Sequence, residues 1–392
     1  MIRYIISFII FLITQSISAS DISSIIDRIM ENSVTLKKYR AQTDAAKVGN
    51  SVGLTLADPE IEFNYLWGSP NDVGQRKDIS VTQRFDYATI FGVKRREARS
   101  RNELAELEYE QAKLLLQKEV VMILDDIAAA NEAIKEEESR CNTAERLADM
   151  MKNKMEAGDG NRIEQNKALL DLARHKADMT ETMMKRDVMM ENVIFTQTMD
   201  EEMRKCLCGL TLDDVSEYAN TLGTTTLWQL EAEKTQKEES VADAELLSAR
   251  SASIPELTAG YMAELTREEK FRGITLGLSI PLWSNRGNVA KAKQQKMAVI
   301  AEREETIANM RAQCNAITSQ MKHLSSVIEN IETALRTSSS ENLLMKALQE
   351  GEISIMDYIA DRESYSELKL RLMEAKSEYI KKCAELNILS RM

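Results

Sequence analysis

The chain has 392 residues and a formal net charge of −12. That balance excludes a nucleic-acid binder, whose phosphate contacts need clustered Lys and Arg. Two histidines argue against a multi-histidine metal centre, five cysteines form neither a disulfide framework nor a zinc signature, and four prolines are too few for the turns of a compact two-layer domain.

Residues 1–20 read MIRYIISFIIFLITQSISAS: a basic Arg3, an apolar run from Ile5 to Ile13, then small residues. Ser16/Ser18 or Ser18/Ser20 fit the −3 and −1 cleavage positions. The pattern predicts a secretory signal peptide, with an N-terminal anchor as the alternative. No later stretch has 18 apolar residues, so no membrane-spanning helix is expected. Residues 21–57 predict a capped amphipathic helix running to about Gly53.

Residues 58–86 predict a β-hairpin. Ile61, Phe63, Tyr65 and Trp67 alternate with Glu60, Glu62 and Asn64; Ile79, Val81 and Phe85 alternate with Ser80, Thr82 and Arg84. Residues 87–199 predict a helical hairpin. Val93 to Ala157 contains neither Gly nor Pro, enough for a helix roughly 95 Å long. Leu107, Leu114, Val121 and Ala128 form one apolar stripe, and Tyr109, Leu116, Ile123 and Ala130 another on the opposite flank. Such a helix has a neighbour on each side, as in a wall of helices; a plain antiparallel coiled coil is the simpler alternative. Residues 200–227, with CLCG, LTLDD and GTTT, read as an insert in which Asp213 and Asp214 mark a helix entry.

Residues 228–253 predict a helix and residues 254–283 a second β-hairpin. Here Leu257, Ala259, Tyr261, Ala263 and Leu265 share one face, as do Ile274, Leu276, Leu278, Ile280 and Leu282. Residues 284–392 predict a second helical hairpin. Asn288 to Glu350 again lacks Gly and Pro, and Ile300, Ile307, Cys314, Met321, Ile328 and Leu335 recur every seventh position beside Met310, Ile317, Leu324 and Ile331. The two halves repeat: Pro59 and Pro255 are 196 apart, Ile79 and Ile274 195, and Gly158 and Gly351 193. Each strand suits the length of a tilted membrane strand with one apolar face. Half-buried hairpins on a soluble domain share this pattern, but the signal peptide and the aromatic rims Tyr65, Trp67 and Trp283 favour lipid. Four strands cannot close a barrel and open edges do not survive in lipid, so an oligomer is expected: two chains would give eight strands, three would give twelve.

With the N-terminal helix, the strand starts DPEIEFNY and IPELTAGY, LSIPLWSNRGNVAKAK and EGEISIMDYIADRESYSELKLRLMEA in order, the mature chain resembles the TolC-like outer-membrane efflux proteins, nearest the CusC type. The resemblance implies a mainly α fold with membrane β. Duplicated long helical hairpins would form a periplasmic α-barrel, with residues 200–227 in an equatorial belt, and a homotrimer would share a 12-stranded outer-membrane β-barrel. It implies a passive exit duct of a tripartite pump that meets a periplasmic adaptor protein and an inner-membrane RND-type or ABC transporter. An outer-membrane component of type I protein secretion and a periplasmic adaptor or coiled-coil scaffold are the alternatives. The periplasmic tips would lie at Gly158 and Gly351. The family's acidic ring at the second tip places its first acid on Asp357; the second falls on Ala360, with Asp361 one place later, and the tip arginine position holds Ile353. Glu350 and Glu352 keep that tip acidic.

The gate candidates are therefore Asp357, Asp361, Glu352, Gly351 and Gly158, and the lipid-facing candidates Ile61, Phe63, Tyr65, Leu257, Tyr261, Leu276, Leu278 and Ile280. Three copies of Asp357 around one axis would attract cations. Met179, Met183, Met184, Met189 and Met190 suggest a soft-metal site, but methionine is also adaptable helix packing. Cys206 and Cys208 read as incidental thiols, His175 and His323 as helix surface or seam. No nucleophile–base pair or phosphate-binding glycine loop appears, so neither an enzyme nor a cofactor is expected.

Overall fold

The computed structural model describes residues 19–69, 74–158, 160–192, 201–221, 226–283, 285, 287–337 and 341–390. The expected signal peptide falls almost wholly outside them. The chain divides into two compact units, one of residues 38–112 and 228–310, the other of residues 1–37, 113–227 and 311–392.

The first unit holds the four strands of the described residues: β1 (Glu60–Trp67), β2 (Gln75–Phe85), β3 (Glu256–Leu265) and β4 (Lys270–Ser279). They form one antiparallel sheet in the order β1-β2-β3-β4, so the two sequence hairpins join through β2 and β3. The register aligns every alternation: Ile61 faces Val81, Val81 faces Tyr261 and Tyr261 faces Ile274, all on one side. Gly260 is required where β3 meets β2, because a Cβ there would sit 2.5 Å from the Val81 carbonyl oxygen.

The helices of this unit are α2 (Val34–Asn50), the short α3 (Tyr87–Ile90), the start of α4 (Val93–Glu156), α8 (Leu227–Ser251) and the start of α9 (Asn288–Thr337). Asp86 caps α3 by accepting from the Thr89 amide. Buried alanines, Ala98, Ala105, Ala242 and Ala292, let the helices approach closely. Charged pairs lace their flanks: Glu106 with Arg40 and Lys47, Lys237 with Glu103, Arg101 with Glu245, Lys296 with Asp243. Each is half exposed and contributes little alone.

The second unit is helical. The single N-terminal helix expected from sequence is two: α1 (Ala19–Asn32) stops at the fully buried Ser33, whose hydroxyl accepts from the Leu36 amide and starts α2. A serine that satisfies an orphan helix-start donor competes with helix continuation. Ile22, Ile25, Ile26 and Ile29 on α1 pack with Leu116, Val120, Leu124 and Ile127 of α4 and with Ile380, Ala384 and Ile388 of α11 (Ile355–Leu389). α6 (Glu201–Gly209), α7 (Leu212–Thr221) and the link between them supply Leu207, Val215 and Leu210 to the same core. Asn131 donates to the Leu207 and Leu210 carbonyls at the end of α6, where Leu207 also accepts from the Leu210 amide. The cap of α7 is Thr211 rather than an aspartate: its hydroxyl accepts from the Asp214 amide, and the Asp214 carboxylate returns to the Thr211 amide.

α4 has 64 residues, as the gap in Gly and Pro predicts. α9 ends at Thr337 and α10 runs Glu341–Glu350, with the serine run 338–340 outside the described residues. α5 is Arg162–Asn192.

Candidate functional site

Two places, one in each unit, combine exposed or charged features that packing alone does not require. The first is the sheet. Its apolar side leaves Ile61 75%, Ile274 81% and Leu276 73% exposed, and Phe63, Leu257, Tyr261, Leu278 and Ile280 are exposed with them. Tyr65 is at the margin of exposure, its ring tilted against that of Trp67 with centroids 6.3 Å apart. The structure thus brings the sequence candidates for lipid contact onto one side of the sheet and its continuation. A buried Ile, Leu or Phe contributes roughly 1.5–3 kcal/mol, so this area withholds a large apolar gain until something covers it. β1 and β4 are open edges.

The second place lies where α10 turns into α11. Gly351 has φ 77°, and the Gly351 and Glu352 amides donate to the Leu348 and Ala347 carbonyls at 3.2 and 2.9 Å. This helix stop needs a left-handed residue after the last turn. Gly158, with φ 84°, ends α4 in the same way, its amide donating to the Met155 carbonyl. Ser354 then caps α11, accepting from the Asp357 amide, and donates to the Asp357 carboxylate at 2.7 Å. Asp357 and Asp361 share the exposed side of α11, while Ile355, Tyr358 and Arg362 share the buried side. Leu147, Ala148, Met151, Ala168, Leu348, Ile355 and Tyr358 join the ends of α4, α5, α10 and α11 in one core.

One turn beyond that core sits a buried ion network that sequence reasoning missed. Arg362 of α11 donates to Asp171 of α5 at 2.7 Å, with both side chains buried. The same nitrogen lies 2.8 Å from His175 Nε2. A guanidinium only donates, so Nε2 accepts, and His175 is neutral with its proton on Nδ1. That proton points at Glu137 Oε2 of α4, 3.3 Å away, and Glu137 Oε1 accepts from Arg140 at 2.7 Å. Two guanidinium groups and two carboxylates balance, and three helices are tied through one imidazole. Arg174, at the rim, reaches Asp171 and Glu363. Of the surface and seam positions expected for His175, the structure shows the buried one between helices: it is 1% exposed and central to the network. Although Ile353 occupies the arginine position of the resembled family, Arg362 supplies an α5–α11 tie nine residues later.

The donors of Glu137, His175 and Asp178 lie within 4.8 Å of one another. They do not suit a metal ion. A cation on Nδ1 would move the imidazole proton to Nε2, directly against Arg362, and Arg140 already holds Glu137. The methionines do not converge: Met190 is buried in the α1–α4 core, Met189 half-buried beside it, and Met184 exposed. Cys206 and Cys208, two apart on α6, point to different sides and are free thiols.

Lower in the same helices, Asp125 of α4 accepts from Ser377 of α11 at 2.5 Å, and Lys381 lies 3.7 Å away. Burial pushes its carboxyl up to about 7 despite those partners.

No protein-family model and no curated protein matches the sequence. Solved structures do match. The Campylobacter jejuni CmeC outer membrane channel is 14% identical, with 94% of this chain and 84% of that chain covered at a TM-score of 0.69. CusC, solved in a study of folding and transmembrane channel formation, is 13% identical, with 94% and 91% covered at 0.73. The Neisseria gonorrhoeae MtrE outer membrane channel in its open state is 14% identical, with 96% and 92% covered at 0.73. The chain has the fold of these channels over nearly its whole length, the TolC-like arrangement expected from sequence.

Proposed function

We propose that the protein is a passive outer-membrane channel: a homotrimer whose three four-stranded sheets close a 12-stranded barrel in the outer membrane. Its helical hairpins would form a periplasmic duct. The carrying observation is a sheet with one exposed apolar side and two open edges, in a chain with the fold of outer-membrane channels. Edge pairing between copies satisfies β1 and β4, and lipid covers the apolar side. A soluble adaptor or scaffold has no use for such a side.

The transported solutes in this reading are small molecules or metal ions handed over by an inner-membrane transporter through a periplasmic adaptor. The chain supplies a lumen and a gate, not energy or turnover. The gate is the α10–α11 turn, with Asp357 and Asp361 toward the passage and Gly351 and Gly158 as fixed turns. Arg362, Asp171 and His175 hold α11 against α5 in one packing, and opening exchanges it for another, since packed helices move between discrete arrangements.

The test is direct. The purified protein should have the mass of three chains in detergent, resist carbonate extraction from outer membranes and conduct ions in planar bilayers. A monomer that extracts with carbonate and does not conduct refutes the reading.

A further inference from the structure

The apolar side of the sheet carries charge at one end only, and of one sign. Strand pairing sets Tyr65, Lys77, Leu265 and Lys270 in one row and Phe63, Ile79, Ala263 and Arg272 in the next. Among the described strand residues, Lys77, Lys270 and Arg272 are the charged ones on that side, and every strand carboxylate is on the other. The strand cations of the polar side are paired: Arg76 with Asp78 and Glu264, Arg84 with Glu60. Those of the apolar side have no ion-pair partner among the described residues; Lys77 only lies over the Tyr65 ring, 5.6 Å from its centre.

All three are exposed and sit beside the hairpin turns, the end away from the helices. At the helix end the same side finishes in Phe85, Leu257 and Leu278, without charge. A cation on the lipid side is costly at mid-bilayer and nearly free at the interface, so the three mark a headgroup level. They mark it on one leaflet only. Lys77 and Lys270 are two strands apart, about 10 Å, and Arg272 is about 7 Å down the strand, the span of a phosphorylated sugar.

We propose that Lys77, Lys270 and Arg272 form a docking surface for the phosphates of a glycolipid in the outer leaflet. This rests on the sheet being a membrane wall. With the helices periplasmic, the hairpin end faces outward, where an outer membrane carries phosphorylated glycolipid. Charge-assisted pairs to its phosphates supply the partners that the sheet withholds from these cations alone.

The experiment compares wild type, K77Q/K270Q/R272Q, the charge-keeping K77R/K270R/R272K and a K291Q/K293Q control on exposed α9 lysines. Each purified trimer is mixed with lipopolysaccharide, its phosphatase-treated form or phosphatidylglycerol, and bound lipid is counted by native mass spectrometry. The glutamine triple should bind lipopolysaccharide at least tenfold more weakly, with the charge-keeping triple and the control like wild type. Dephosphorylated lipid and phosphatidylglycerol should bind poorly to all. Equal binding by the glutamine triple, equal loss in the control, or equal binding of either comparison lipid overturns the proposal. Bilayer conductance separates the two readings: a glutamine triple that conducts normally yet keeps its lipid refutes docking alone, whereas a wild type that neither inserts nor conducts refutes both.

Discussion

Replacing Arg362 by methionine keeps most of the buried volume and removes the charge that faces Asp171. Asp171 then keeps only the rim Arg174 at 3.4 Å, since the His175 Nε2 3.6 Å away carries no proton to donate. The Asp171 and Arg362 side chains are 4% and 1% exposed, so water does not make up the loss. Breaking one side of such a pair costs about 3–5 kcal/mol, whereas replacing both sides by apolar groups is often neutral or stabilising. R362M should therefore lose about 3–5 kcal/mol in urea unfolding followed by far-ultraviolet circular dichroism. R362M/D171L should recover most of it, giving a coupling energy of about 2 kcal/mol or more in the double-mutant cycle. In bilayers R362M should also raise open probability, because the α5–α11 tie is gone. A loss below about 1 kcal/mol, or a double variant as unstable as the sum of its parts, refutes the network as described.

Asp125→Asn tests the raised carboxyl. Because the folded pKa of about 7 exceeds the ordinary 3.8, the folded state binds the proton more tightly, and stability falls as pH rises from about 4 to about 7. The asparagine variant should flatten that slope and be more stable at pH 8 by up to about 4 kcal/mol, and an unchanged pH–stability curve counts against it. Gly351→Ala meets no neighbour within 4 Å, so its cost is backbone strain alone, about 1–2 kcal/mol in thermal unfolding. Gly260→Val instead drives a side chain into the Val81 carbonyl and should abolish assembly as judged by size-exclusion mass. Asp357→Ala should raise single-channel conductance or weaken divalent block; Asp357→Asn, which keeps an acceptor for the Ser354 hydroxyl, should do the same, and a change in alanine alone would point to the lost Ser354–carboxylate hydrogen bond.

The parts of the fold that repeat at short range were readable from sequence. Ile61, Phe63 and Tyr65 against Glu60 and Glu62 give a side without any knowledge of pairing, and the register then aligns four such sides. Gly158 and Gly351 stood out because nothing else in their runs could stop a helix. The break at Ser33 was hidden, since a serine among helical residues is ordinary until its hydroxyl is seen to bond the Leu36 amide. The ion network was hidden for a different reason. Its members come from three helices, with Glu137 and Arg362 225 positions apart. A local trace exists: Ile355, Tyr358, Arg362 and Ser366 follow core spacing along α11, as do Ala168, Asp171 and His175 along α5. Polar residues at those positions signal a buried partner, but not which one.

A buried network of this kind does not stabilise as well as leucines would, and it is not fully satisfied. Arg362 Nη1 and Arg140 Nε and Nη2 lack hydrogen-bond partners among the described residues. Each orphan donor costs about 1–3 kcal/mol. Close above it, Leu147 and Ile355 pack without such cost. An apolar seam continued through 171, 175 and 362 would lock α11 to α5 more firmly and with less geometric demand. What the ionic version adds is a contact that fails sharply when one partner shifts, because moving the Arg362 guanidinium by an ångström takes the donor from the Asp171 carboxylate and from His175 Nε2 at once. A duct mouth that must release α11 and then retake the same packing gains from that sharpness. In this reading R362M/D171L should be as stable as wild type yet change open probability, and a stable double variant that gates normally would show the network to be structural only.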